Sequence, residues 1–196
     1  MKYLKIKNNF VHNTAIIDWK NLEIGKNNTI GPYAIIGGEA QHPKKKSFGK
    51  IIIGNNNNIS QFVCINRPTK FRKKTIIGNN NYIMNNSVID HDCILENYIT
   101  MSSNVLLGGN VYIMNGSQLG MKTIIHQNQL IGSYTMIGMG SIITKRKKII
   151  PGYIFFGKPV KKVKKNLIGL KRNNISSSKL KKENDRYKNI FNNKMN

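Results

Sequence analysis

Residues 77–143 read IGNNNYIMNNSVIDHDCILENYITMSSNVLLGGNVYIMNGSQLGMKTIIHQNQLIGSYTMIGMGSII. Stepping by six from Ile77 gives Ile83, Ile89, Leu95, Met101, Leu107, Ile113, Leu119, Ile125, Ile131, Ile137 and Ile143, and every one is apolar. In a chain that is 39% hydrophobic, chance fills one such frame on the order of once in 10⁵ trials. A second column lies four residues after each anchor from Ile77 to Ile137: Ser87, Cys93, Ile99, Val105, Val111, Ser117, Thr123, Thr135 and Ser141, with Asn81 and Gln129 as exceptions. Gly follows the anchor at 78, 108, 120, 132 and 138. This pattern predicts an all-β solenoid, in which short strands alternate with tight bends and the anchors fill each layer. Gly and Asn are expected to supply the special backbone angles of the bends. Each layer buries its apolar side only against its neighbours, so stability is shared along the stack.

The frame continues upstream in two interrupted blocks, Ile24, Ile30 and Ile36, then Ile53, Ile59 and Ile65. The interruptions at 38–50 and 67–74 carry Pro and Lys clusters and are expected as exposed loops. The repeat stops near Thr144, so residues 1–165 form the solenoid and 166–196 a short helical tail. Ser176–Ser178 is expected to cap a helix from about Lys179 to Phe191, with Leu180, Tyr187 and Phe191 as its apolar stripe. Thirty residues cannot form their own core, so the tail must dock on the solenoid or on a neighbouring subunit.

The 196 residues suffice for one domain and a tail. No apolar run is long enough for a transmembrane segment, and Met1–Phe10 lacks the apolar stretch of a signal peptide. A cytoplasmic protein is expected. Cys64 and Cys93 form no ligand-spaced cluster, and no metal site is expected. The net charge of +24 leaves three readings open: a nucleic-acid face, an acidic or phosphorylated partner, or Lys filling neutral surface positions in an AT-rich coding sequence. Aromatics do not interleave with the basic runs, which argues against a single-strand binding surface, and no specific nucleic-acid partner is expected.

Six segments resemble one family in order. They are Val11-His12-Asn13-Thr14-Ala15-Ile16-Ile17, Ile30-Gly31-Pro32-Tyr33, Val63-Cys64-Ile65-Asn66-Arg67-Pro68-Thr69, His91-Asp92-Cys93, Thr123-Ile124-Ile125-His126-Gln127, and Asn166-Leu167-Ile168-Gly169-Leu170-Lys171-Arg172. The chain resembles UDP-N-acetylglucosamine acyltransferase, the first enzyme of lipid A synthesis. The resemblance implies a left-handed parallel β-helix, a homotrimer with sites between subunits, and transfer of a (3-hydroxy)acyl chain from acyl carrier protein to the 3-hydroxyl of UDP-N-acetylglucosamine. The donor rides on the carrier's phosphopantetheine, and no further cofactor is implied.

Such a transfer needs a base for the hydroxyl proton and donors for the oxyanion. The resemblance assigns His91 as general base, Asp92 as the group that orients it, and Gly109 as the oxyanion donor. By position alone, two residues past an anchor, His91 faces outward, and the pair reads equally as a solvated surface couple. The resemblance places His126 and Gln127 near the substrates, Asn166 and Arg172 at the nucleotide, and Met139 where acyl-chain length is set, with a bulky residue favouring shorter chains. A basic surface would steer the acidic carrier.

The sequence departs from the family at Val88, Asn66 and Asn110, where histidines are expected, and at Ile168 and Asn173, where an acid and an arginine are. The sugar-binding coil before Ile53 reads as shortened or replaced by the lysine-rich loop, and the C-terminal region as about one helix. The departures leave two alternatives: an O- or N-acyltransferase, with acetyl-coenzyme A or another donor, acting on a different nucleotide-linked sugar, or a non-catalytic hexapeptide scaffold.

Overall fold

In the computed structural model, which describes residues 2–44, 46–69 and 74–195, the frame becomes a three-faced coil of 18 residues per turn. Ile77 pairs in parallel with Leu95, Ile83 with Met101 and Ile89 with Leu107. Among the described residues the strands form three sheets of ten, seven and six. Face 1 contains Tyr82–Ile83, Thr100–Met101, Gln118–Leu119 and Met136–Ile137. Face 2 contains Val88–Ile89, Leu106–Leu107, Ile124–Ile125 and Ile142–Ile143. Face 3 contains Thr75–Ile77, Ile94–Leu95, Tyr112–Ile113 and Leu130–Ile131. None of the twelve anchors is more than 2% exposed. The second column is buried too, including Asn81 at 2% and Gln129 at 1%. An antiparallel partner finishes each end of face 1, Tyr3–Ile6 at one and Val160–Lys165 at the other.

The expectation for the bends holds at most corners, but not through the glycines that follow the anchors. The left-handed backbone falls three residues after every one of the twelve anchors, with φ between 57° and 67°. Asn80, Asn86, Asn104, Asn110 and Asn128 hold five of these corners, Gly116 and Gly140 two, and Asp92, Tyr98, Lys122, Tyr134 and Arg146 the other five. Asn and Asp tolerate this region better than other side chains with a Cβ. The glycines directly after the anchors have no positive φ. Their reason is crowding between coils: a Cβ on Gly108 would meet the Gln127 amide nitrogen at 2.8 Å, and one on Gly78 would strike the Glu96 carbonyl.

Buried asparagine also ties coils together. Asn28 donates its backbone and side-chain N–H groups to Asn9 Oδ1, and Asn57 repeats the pair onto Asn28 Oδ1, each at 2.9 Å. The Asn81 backbone then donates to Asn57 Oδ1 and Ile99 to Asn81 Oδ1. A second column runs through Asn55, Asn79, Asn97 and Asn115. Each rung satisfies polar groups that the stack takes away from water.

The tail holds two helices rather than one, α1 (Leu167–Arg172) and α2 (Ser177–Met195). Ser176 Oγ accepts from the Lys179 N–H, so the cap sits one residue before α2 and the helix runs further at both ends than expected. It docks on face 3 of its own chain: Tyr187 buries against Met114 and Leu130, with Ile190 and Phe191 beside it. Its Arg186 pairs with Glu96, which also accepts from the Tyr112 hydroxyl at 2.6 Å. No helix among the described residues is long and apolar enough to cross a membrane.

Candidate active site

The repeat gives the prism three corners, and residues 18 apart stack along each. His91, Gly109 and Gln127 share the corner between faces 2 and 3. They line a cleft of about 630 Å³ together with His126, while Leu106 and Ile124 of face 2 supply its apolar floor. His126 and Gln127 are exposed there, and His126 Nδ1 lies 3.0 Å from the Gln127 carbonyl.

The His–Asp pair is not solvated. His91 is 8% exposed and Asp92 5%. His91 Nδ1 lies 2.8 Å from Asp92 Oδ2. That oxygen also accepts from the Thr69 hydroxyl at 2.7 Å, and Oδ1 accepts from the Thr69 N–H at 3.1 Å. A carboxylate surrounded by donors is an acceptor, so the proton between the two side chains belongs to Nδ1, and the neutral tautomer this favours carries its lone pair on Nε2. The left-handed φ of +63° at Asp92 turns the chain at the corner, and its N–H donates to Thr75 Oγ1 at 3.1 Å. Thr69 is buried. The 67–74 loop is therefore not simply exposed: its first residues pack behind the dyad, and Lys70–Lys73 of that expected loop lie outside the described residues, as does Lys45 of the other.

Gly109 has a steric reason to be glycine. A Cβ there would run into the His91 ring, so its missing side chain lets the imidazole lie against the next coil's backbone. Among the described residues nothing accepts its N–H. Cys64 donates to Asn66 Oδ1 at 3.1 Å. Burial, then the nearby Asp90 carboxylate, pushes its thiol above the ordinary value, which keeps it a thiol and a poor nucleophile.

Three contributors were not singled out in the sequence. His42 and Gln41 bring the 38–50 loop to the cleft, so that loop lines the site, as loops leaving a rigid solenoid often do. The His42 ring stands edge-on to His91 with centroids 5.7 Å apart. Asp90 lies on the far side of the base, with Oδ2 3.9 Å from Nε2.

The remaining expected residues stand elsewhere on this chain. Met139, 63% exposed, occupies the corner between faces 1 and 2, diagonally across face 2 from the dyad. Asn166 is 5% exposed and sits near the third corner. Its Oδ1 caps α1 through the Gly169 N–H, and its Nδ2 donates to the Tyr134 carbonyl. Arg172 is exposed on the last turn of α1.

A hexapeptide coil carrying a carboxylate-held imidazole in an apolar-floored cleft is the architecture of the hexapeptide-repeat acyltransferases. No family model matches the chain. It is 34% identical over 159 residues to the acyl-[acyl-carrier-protein]–UDP-N-acetylglucosamine O-acyltransferase of Synechocystis sp., covering 81% of this chain and 57% of that protein. The enzyme of the same name from Rhizobium johnstonii is 33% identical over 172 residues, 86% of this chain and 62% of its own length. The crystal structure of UDP-N-acetylglucosamine acyltransferase from Bacteroides fragilis superposes with a TM-score of 0.82 at 31% identity, covering 94% of this chain and 71% of that one. The Arabidopsis enzyme gives 0.74 at 27% identity, with 94% and 82% covered. The chain belongs to the UDP-N-acetylglucosamine acyltransferase family, and its coil is the left-handed parallel β-helix of that family. It spans about three-fifths of the length of the curated relatives it matches.

Proposed function

We propose that the protein transfers a 3-hydroxyacyl chain from acyl carrier protein to the 3-hydroxyl of UDP-N-acetylglucosamine, an early step of lipid A synthesis, in the cytoplasm. The observation that carries this reading is the His91–Asp92 dyad, held by a buried carboxylate at Nδ1 with the imidazole lining the cleft. His91 Nε2 removes the acceptor hydroxyl's proton as the oxygen attacks the thioester carbonyl. Asp92 holds the ring and faces the imidazolium that forms. The Gly109 N–H receives the oxyanion of the tetrahedral intermediate. Collapse expels the carrier's phosphopantetheine thiolate, which takes back the proton from His91. No metal or further cofactor enters these steps.

The apolar floor of Leu106 and Ile124 suits the acyl chain, and Met139 stands beyond it as the residue that limits chain length. His126 and Gln127 flank the same cleft and contact the substrates. Asn166 and Arg172, near another corner, serve the nucleotide from a neighbouring copy in a homotrimer. The outward residues of face 2 beyond the cleft support such an assembly: Ile16 is 64% exposed and Ile35 38%, an apolar surface that a second copy would cover. The carrier, an acidic protein, is drawn by the net charge of +24.

A second reading, transfer to a different nucleotide-linked sugar, is favoured by Asn166, whose carboxamide is committed to a helix cap and a carbonyl. One assay separates and tests both. The protein is offered hydroxyacyl carrier proteins of graded length with UDP-N-acetylglucosamine or other UDP-sugars, and products are read by mass spectrometry. The proposal expects acylated UDP-N-acetylglucosamine with an optimum at shorter chains, and Met139→Gly moves that optimum longer. An optimum that stays fixed removes Met139 from the account, and product with another sugar alone favours the second reading.

A further inference from the structure

The cleft holds a second carboxylate that the dyad does not need. Asp90 precedes the base, and its two oxygens face different groups. Oδ1 accepts from the His91 backbone N–H at 2.8 Å, from Asn66 Nδ2 of the preceding coil at 3.0 Å, and from the Gln41 backbone N–H of the 38–50 loop at 3.3 Å. One atom thus joins the base's own backbone, the neighbouring coil and an insertion 49 residues away. Oδ2 lies on the other side, 3.9 Å from His91 Nε2, and the Asp90 side chain is 14% exposed.

The loop tied down by Gln41 carries His42, whose ring edge packs on His91. His42 Nδ1 accepts from the Lys44 N–H at 3.2 Å, which leaves its Nε2–H as a donor in the neutral ring. The groups facing the base are therefore Asp92 on Nδ1, Asp90 on the Nε2 side and His42 on the ring, with His126 on the cleft wall.

We infer that Asp90 is a positioning residue for the reaction proposed above: Oδ1 holds the His42 loop as a wall of the acceptor site, and Oδ2 faces the charge that His91 acquires when it takes the acceptor's proton. The inference rests on His91 being the base. The two halves act at different stages. The loop contact exists before substrate arrives and governs acceptor binding. The Oδ2 attraction grows only as the imidazolium forms, so it acts on the transition state rather than on the bound substrate. Asp92 supports the same charge from the opposite nitrogen, and the two carboxylates bracket the ring.

Two substitutions separate these effects. Asp90→Asn keeps an acceptor oxygen for the three N–H donors and removes the charge. Asp90→Ala removes both. In the 196-residue chain, with hydroxyacyl carrier protein and UDP-N-acetylglucosamine, Asp90→Asn should hold the acceptor KM within about three-fold and lower kcat about ten-fold. Asp90→Ala should also raise the acceptor KM about ten-fold and speed hydrogen exchange at the Gln41 amide by at least ten-fold. If Asp90→Ala does not fold, Asp90→Asn with unchanged melting carries the test through its kcat alone. Wild-type kcat in Asp90→Asn overturns the electrostatic half. Unchanged Gln41 exchange and KM in a folded Asp90→Ala overturn the positioning half. His91→Ala is measured alongside: if it keeps full activity the base assignment itself fails, and if it is inactive while both Asp90 variants behave as wild type, this inference alone fails.

Discussion

His91 and Asp92 are adjacent in the sequence, yet the partners that make them a usable pair come from far away. Thr69, 23 residues upstream, gives Asp92 two hydrogen bonds, and Gly109, on the next coil, makes room for the imidazole. The pair was legible through its motif. Thr69, Asp90 and His42 were not, because nothing in a six-residue frame says which insertion folds back over which corner. The alternative of a solvated couple is excluded by burial: outward direction was readable from the step past Ile89, and the cover over it was not. Asp92→Asn should remove the acceptor that fixes the Nδ1 proton while changing little in shape. We expect kcat to fall about 100-fold or more, with the circular-dichroism spectrum and melting temperature close to those of the parent. A fall of less than three-fold would show that Asp92 is a structural partner of Thr69 only.

Among the elements, the strands were plain in the sequence and the corners only in part: Asn and Gly hold seven of the twelve, but the glycines directly after the anchors serve another purpose. The anchors announced their burial through chemistry, whereas Gly and Asn each have two uses. The abundant asparagines look compositional until their places are known: some hold left-handed corners and others, such as Asn57, form buried rungs between coils. Asn57→Ala should leave the Asn81 N–H and the Gly78 carbonyl without their partner and cost about 1–3 kcal/mol. Urea unfolding should show this as a lower midpoint at constant slope, and an unchanged midpoint would remove the ladder from the stability account. The tail's second helix and α2's extra turns were hidden because α1 is short and the ends of α2 are polar.

The docking of α2 has a pH signature. Burial, reinforced for Tyr112 by its hydrogen bond to Glu96, pushes Tyr112 up to about 12, and burial does the same for Tyr187. Both folded values lie above the ~10 of an unfolded tyrosine. The stability they contribute is therefore complete below pH 10 and is lost as pH rises through about 12. Hydrogen exchange in α2 should rise over that window, and Tyr187→Phe should flatten the rise. Identical profiles would show that α2 is held by other contacts.

At the scale of the whole molecule, one repeat explains both the fold and the distribution of the candidate residues. Eighteen residues per turn sends His91, Gly109 and Gln127 to one corner, Met139 to a second, and the Tyr134 carbonyl that holds Asn166 to the third. On one chain these three sets stand at different corners, and the proposal that they serve one site therefore rests on the proposed assembly of copies. The sequence made the solenoid visible because its periodicity is local. Assembly and acceptor choice depend on surfaces that periodicity does not encode. The central claim is that the cleft at His91 carries out acyl transfer. The most direct measurement compares the parent with His91→Ala, matched for melting temperature, using hydroxyacyl carrier protein and UDP-N-acetylglucosamine and following acylated sugar nucleotide. The account predicts product from the parent and a loss of about 100-fold or more in the variant. Equal turnover by the two proteins would contradict it.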